Sequence, residues 1–134
     1  MALSAIALRT YAVNSIYDQL PVKATEVIYE GSAIGMTAGY ARALVAADKF
    51  GGFSMENVTG TAASGGILVT VRVRGYISLA ITDAAVTDWG AAVYASDDGT
   101  FTLDPTSNTL IGKLVHWIST GYGIVAFNTA ITTL

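Results

Sequence analysis

The chain has no cysteine, so it forms neither a disulfide nor a thiolate–metal site. It has one histidine, His116, and a metal centre needs several ligands that a single imidazole cannot supply. Charge is scarce: Asp, Glu, Lys and Arg make up 13% of the 134 residues, about half the usual share. Lys and Arg number seven against ten acidic residues, a net charge of −3. Phosphate contacts need clustered basic residues, so a nucleic-acid partner is not expected. No run reaches the roughly 18 uninterrupted apolar residues of a spanning helix, and a membrane partner is not expected either. The start, MALSAIALRTYAV, is apolar. Nothing basic precedes it and Arg9 interrupts it, so it does not read as a signal peptide, and synthesis in the cytoplasm without export is expected.

What is present is apolar. Hydrophobic residues make up 52% of the chain, and the length suits one domain with a real core. With so few charges, either Thr, Ser, Asn and Gly cover the surface or part of it is buried against other chains. The second answer, an assembly, is the expected one, because large apolar patches mark interaction sites.

The stretch ILVTVRVRGYISLAI at 67–81 organises the rest. Its odd positions are Ile67, Val69, Val71, Val73, Gly75, Ile77, Leu79 and Ile81. Its even positions are Leu68, Thr70, Arg72, Arg74, Tyr76, Ser78 and Ala80. Successive side chains of a strand point to opposite faces, so this predicts one apolar face backed by a mostly polar one. Unbroken, it would span about 50 Å at roughly 3.3 Å per residue. Strands are usually much shorter, and a break or sharp coil is expected at Gly75.

Residues 1–21 have no clean period. Tyr11, Val13 and Ile16 suit a short strand, and Pro21 ends the segment. It reads as an extended N-terminal arm, lying either on a neighbouring chain or on its own core. Residues 22–134 form the single domain. Residues 24–36 read as a strand, a glycine turn and a short strand, with Val27 and Tyr29 on one face and Glu26, Ile28 and Glu30 on the other. Alanine content suits a helix at 37–48, but Gly39 interrupts it, and strand and loop are expected. The DKFGGF of 48–53 predicts a tight bend with Phe50 and Phe53 plugging a core edge. Residues 83–89 read as one helical turn, capped by Thr82 or Asp83, stopped by Gly90, with Val86 and Trp89 facing inward. Ser96-Asp97-Asp98-Gly99 is a hairpin signal. A strand at 110–118 has Ile111, Val115 and Trp117 on one face, and Gly121-Tyr122-Gly123 turns it into the strand at 124–127. Regularly spaced short strands predict an all-β fold, a small barrel or sandwich with at most one or two short helical turns.

The search for chemistry is short. His116 alternates with Val115 and Trp117 and reads as a strand side chain, not a base. Asp97 and Asp98 are explained by turn geometry better than by acid–base work. No phosphate loop, calcium loop or nucleophile elbow occurs. The chain reads as a non-enzyme with no cofactor and no metal. Arg72 and Arg74 share the even face of the long strand. They form either a solvated face with local salt bridges or ion pairs to an acidic partner surface.

Four phrases carry a resemblance: IYEGSAIG at 28–35, DKFGGF at 48–53, VRVRGYISL at 71–79 and VYASDDGTFTL at 93–103. Their order and spacing resemble the capsid decoration, or cement, proteins of tailed phages, over roughly residues 22–128. The resemblance implies a β-rich module on the outside of an icosahedral head, associating as a homotrimer and clamping neighbouring major capsid subunits. It implies no cofactor. The contact candidates in such a protein are Leu3, Ile6, Leu8, Arg9, Tyr11 and Val13 of the arm, with Arg72 and Arg74. Two other readings stand beside it. One is a different virion part, such as a tail-tube or head-completion subunit. The other is a carbohydrate-binding surface module using Trp89, Tyr94, Trp117 and Tyr122.

Overall fold

The long apolar ribbon is divided between two sheets. The computed structural model describes residue 5 and residues 16–131. In chain order its strands are β1 (Tyr17–Pro21), β2 (Val27–Ile28), β3 (Ala33–Thr37), β4 (Tyr40–Ala43), β5 (Lys49–Ser54) and β6 (Val58–Thr59), then β7 (Leu68–Arg72), β8 (Arg74–Ala80), β9 (Ala92–Ala95), β10 (Phe101–Thr102), β11 (Thr109–Ser119) and β12 (Tyr122–Asn128). Single 3-10 turns lie at Val86–Asp88 and Thr129–Ile131. The fold is all-β, as the strand spacing predicts. The first sheet has the order β1-β7-β5-β3-β4, the second β10-β9-β11-β12-β8, and β2 pairs with β6 alone. Each five-stranded sheet curls until its two edges touch. A parallel bridge between Val22 and Ala41 joins the ends of the first, and one between Ile81 and Phe101 joins the ends of the second. The result is barrel-like.

Part of the range 1–21 read as an arm is a strand of the first sheet. Tyr17–Pro21 is β1, laid antiparallel on β7 from Tyr17↔Arg72 to Pro21↔Leu68. The N–H of Val73 also bonds the carbonyl of Ile16. A strand here satisfies backbone groups that an arm would leave to water. Leu3, Ile6, Leu8, Arg9, Tyr11 and Val13 lie outside the described residues.

The odd register of 67–81 holds, but it serves two cores. Val69 and Val71 pack with Val22, Ile28, Ile34 and Ala41 inside the first sheet. Leu79 and Ile81 join the larger core inside the second. Between them the chain bends at Val73, and Gly75 has φ +145°. A Cβ on Gly75 would lie 3.0 Å from Nε of Arg72. The guanidinium fills the space that a side chain at position 75 would need, so the expected break has a packing cause as well as a backbone one.

Phe50 and Phe53 are central to the core, and the bend expected at 48–53 is instead β5. Gly35 pairs with Phe50, Ile34 with Gly52 and Ala33 with Phe53. Two residues of β5 thus face one step of β3, which is a β-bulge at Gly51 and Gly52. The extra residue shifts side-chain alternation, so two phenylalanines three apart enter one core. Phe53 meets Phe127 edge-on at 4.9 Å and Phe101 at 6.1 Å, while Phe50 meets Phe127 at 6.2 Å. These contacts join the back of the first sheet to the inside of the second.

Bulges also correct the β11 reading. Register shifts fall between Leu110 and Gly112, Leu114 and His116, and Trp117 and Ser119. Ile111 and Leu114 are therefore both fully buried, whereas Val115 and Trp117 are only half-buried. Val86 and Trp89 do not face inward; they are 60% and 66% exposed, and Ala84 takes the buried position. The turn is capped by the Asp88 carboxylate, which accepts the Ala85 N–H at 2.7 Å, and not by Thr82 or Asp83. The hairpin at 96–99 forms as predicted, with Asp97 accepting the Gly99 N–H at 2.9 Å.

Gly52 combines φ +114° with a Cβ position 2.5 Å from the Arg72 carbonyl oxygen. Gly52→Ala should cost at least about 2 kcal/mol in urea unfolding. Gly99→Ala, with no neighbour within 4 Å of its Cβ position, should change stability by less than about 1 kcal/mol. Equal stabilities for the two variants would contradict the bulge.

Candidate functional site: the outer face of the second sheet

Cross-strand partners of a sheet share a face. Tyr76 pairs with Ala126, Ala126 with Lys113 and Lys113 with Ala92. These residues form one row across β8, β12, β11 and β9 on the side away from the core. Alanines flank Lys113 in this row, and Tyr76, 75% exposed, stands at one end. At the other end Trp89 is held in place. Its indole Nε1 donates to the Val115 carbonyl at 3.0 Å, and Nζ of Lys113 lies 5.8 Å from the ring centroid. On this face lies a groove of about 440 Å³ whose lining includes Ala92, Tyr94, Leu110, Lys113, Ala126 and Asn128. Lys113 is the only charged residue in that lining. The surface is suited to contact with another neutral, apolar surface and offers no set of groups for bond chemistry.

Of the two arginines singled out in the sequence, Arg72 is engaged within the molecule. Its Nε donates to the Arg74 carbonyl at 3.1 Å, and its guanidinium carbon lies 5.9 Å from the Tyr17 ring centroid. Arg74 opens β8 opposite Asn128, exposed, at the same end of the sheet as the groove. The two therefore belong to different sheets, one locking the bend and the other bordering the outer face. His116 is exposed and sits opposite Ile124. Asp97 is a turn cap: the Gly99 N–H holds it below the usual carboxylate range against burial, helped by the Thr100 hydroxyl at 3.1 Å. Among the described residues no group of three or more His, Cys, Asp or Glu is placed to hold a metal ion.

The strongest electrostatic feature is not legible in the sequence. Asp48 accepts Nε and Nη2 of Arg42 at 2.9 and 2.7 Å, and the Val45 N–H at 3.0 Å. The Asp48 carbonyl accepts the Thr109 hydroxyl at 2.8 Å, joining the β4–β5 loop to the second sheet. Burial resists ionisation of Asp48, but the Arg42 and Val45 donors outweigh it and its pKa falls below 3.8. The same bond raises the Arg42 pKa. With every strong donor directed at the carboxylate, the pair clamps a loop and is not an acid–base couple. Only the folded loop brings these residues together, so no spacing rule finds them.

No protein-family model, curated protein or solved structure matches the chain. The outer face therefore stands on its own geometry.

Asp48→Asn should cost about 2–3 kcal/mol at neutral pH, the scale of hydrogen bonds to a charged group. Because folding lowers the Asp48 pKa, its contribution is present above pH 3.8 and is lost as pH falls through that value toward the lower folded-state value. Chemical unfolding at several pH values should show wild type and variant converging on the acid side. A constant gap would contradict this assignment.

Proposed function

We propose that this chain is a structural protein of a tailed-phage virion, bound to the outer surface of the icosahedral head and bridging neighbouring major capsid subunits. The observation that carries the reading is the outer face that holds Tyr76 and Trp89, where Lys113 is the one charge in the groove lining and exposed aromatic and small apolar side chains supply most of the rest. The resemblance supports it: two of its four phrases, at 71–79 and 93–103, supply β8 and β9 of this face, while the other two lie in β2, β3 and β5. In this reading the protein carries out no reaction and uses no cofactor, nucleic acid or membrane. It is made in the host cytoplasm and acts as a homotrimer. Each copy supplies a weak contact, and the trimer sums them, because the second and third contacts form at high effective concentration. The outcome is mechanical: capsid subunits resist separation under internal pressure. Arg74 and the arm residues Leu3, Ile6, Leu8, Arg9, Tyr11 and Val13 are the remaining contact candidates, and Arg72 contributes by holding the bend.

Co-sedimentation with expanded heads of the phage that encodes the chain tests this. Stoichiometric binding over the facets is expected. Ala92→Arg places a charge in the groove at an exposed position, so it should fold normally and bind heads at least about tenfold more weakly, a loss of about 1.4 kcal/mol. Deleting residues 2–15 should abolish head binding while leaving the melting transition in place. Rings or tubes in electron micrographs, with bare facets, would instead identify a tail-tube or head-completion subunit.

A second reading rests on Trp89, whose exposed and fixed ring is a platform on which a sugar can stack. A glycan-array signal lost in Trp89→Ala would favour a carbohydrate-binding module.

A further inference from the structure

Every edge of a sheet exposes backbone donors and acceptors that invite another strand, and most proteins blunt them. Among the described residues, three of the four edges of the two five-stranded sheets are blunted. On β1, Pro21 has no N–H and the Gln19 N–H is taken by its neighbour's Asp18 carboxylate at 2.8 Å. On β4, the Ala43 N–H goes to Oε1 of Glu26 at 3.2 Å, and the Ala41 carbonyl accepts the Lys23 N–H at 2.9 Å. β10 has two residues, and its Phe101 carbonyl accepts the Thr82 N–H at 3.0 Å. β8 differs. Among the described residues its one ladder partner is β12, with β10 touching only its far end at Ile81. The Ile81 N–H bonds Gly121 and the Val73 carbonyl accepts Thr129, so odd residues direct their backbone toward β12. In an antiparallel ladder the alternate residues point the other way. The N–H and C=O groups of Tyr76 and Ser78 thus face outward, and both residues are exposed; beyond them the ribbon meets β10 through the Ile81–Phe101 bridge. Arg72 Nε caps the Arg74 carbonyl at the start of the strand, but no charge, proline or bulge protects Tyr76 to Ser78, and the register with β12 is unbroken from Arg74 to Ala80.

We infer that the open edge of β8 receives the N-terminal segment of a second copy as an added strand. Residues 1–15 contain no proline, glycine or acid and a single charge, Arg9. Every residue after the first therefore has an amide donor, and nothing repels the neutral Tyr76–Ser78 edge. Tyr11 and Val13 stand two apart and share a face in a strand. The same chain is badly placed to fill its own edge. Val73 directs its N–H to Ile16 and its C=O to Thr129, so β1 and β12 lie end to end along one side of the β7–β8 ribbon. The open edge is on the other side, and the segment before Ile16 would have to fold across β8 to reach it. Fifteen residues extended reach on the order of 50 Å, enough for a neighbour. A copy that gives its segment to one neighbour and receives another's makes a head-to-tail contact, which forms a ring where the rotation between copies closes. This inference rests on the self-association in the proposed function and not on head binding.

Ser78→Pro removes only the outward N–H and leaves the β12 ladder complete. Light scattering should show wild type at about three chain masses and Ser78→Pro at one, 13.9 kDa, with superimposable circular dichroism spectra. A monomeric wild type, or a variant that folds and still associates, overturns the inference. The cysteine-free chain allows a second measurement that decides the matter if Ser78→Pro does not fold. Ser78→Cys combined with Tyr11→Cys, or with Val13→Cys, should give a reducible ladder of covalent multimers on oxidation. A bond confined to single chains, or no bond in either pair, overturns it. An associating protein that ignores heads would leave this inference standing and sink the head-binding reading; a monomer that binds heads would do the reverse.

Discussion

Two phenylalanines three residues apart cannot face one side of a regular strand, and the structure depends on breaking that regularity. The bulge at Gly51 and Gly52 turns Phe50 and Phe53 together toward Phe101 and Phe127. Without it one ring would point into the smaller core of Val69, Val71 and Ile34. The two sheets would lose the contact that unites them. Burying a phenylalanine is worth about 1.5–3 kcal/mol, and edge-on ring pairs add roughly 0.5–1.5 kcal/mol each. The Arg42–Asp48 clamp acts on the same loop, but part of its attraction only offsets its own desolvation, so the aromatic cluster stabilises the junction more. Glycine is required at 52 because the backbone of Arg72 approaches where a Cβ would stand.

A second consequence follows from the strand that crosses between the sheets. Since β7 and β8 are one ribbon bent at Val73, β1 and β12 meet end to end along one side of it. Among the described residues that arrangement leaves the other side of β8 open at Tyr76 and Ser78, while the other edges of the two five-stranded sheets are closed by a neighbour, a proline or a carboxylate. It also sets Tyr76 at the margin of the outer face, beside the small residues that floor the groove. The open edge and the neutral face are thus adjacent products of one bend, and both are suited to protein contacts.

Much of the fold is legible from local pattern. The odd register of 67–81, the Asp-Gly hairpin and the strand at 124–127 are all present, and the break expected at Gly75 falls at Val73 instead. The errors share a cause. In β11 three register shifts, and in β5 the glycine pair, each move the side-chain alternation by one residue, and alternation is what a strand reading counts. The size of Trp89 argues for the core, yet a single 3-10 turn has no inner face, and its indole is satisfied by the Val115 carbonyl at the surface. The outer face is invisible to local pattern because its members, Tyr76, Trp89, Ala92, Lys113 and Ala126, come from separate strands and a turn.

By itself the sequence determined the all-β class, the single-domain size and the absence of cysteine chemistry, because these depend on composition and on the two-residue period of a strand. Only the tertiary structure decided which strands are neighbours, which edge stays open and which face is left uncovered. Those are properties of pairing between residues far apart in the chain. A bulge of one residue changes such pairing while leaving the local pattern almost untouched.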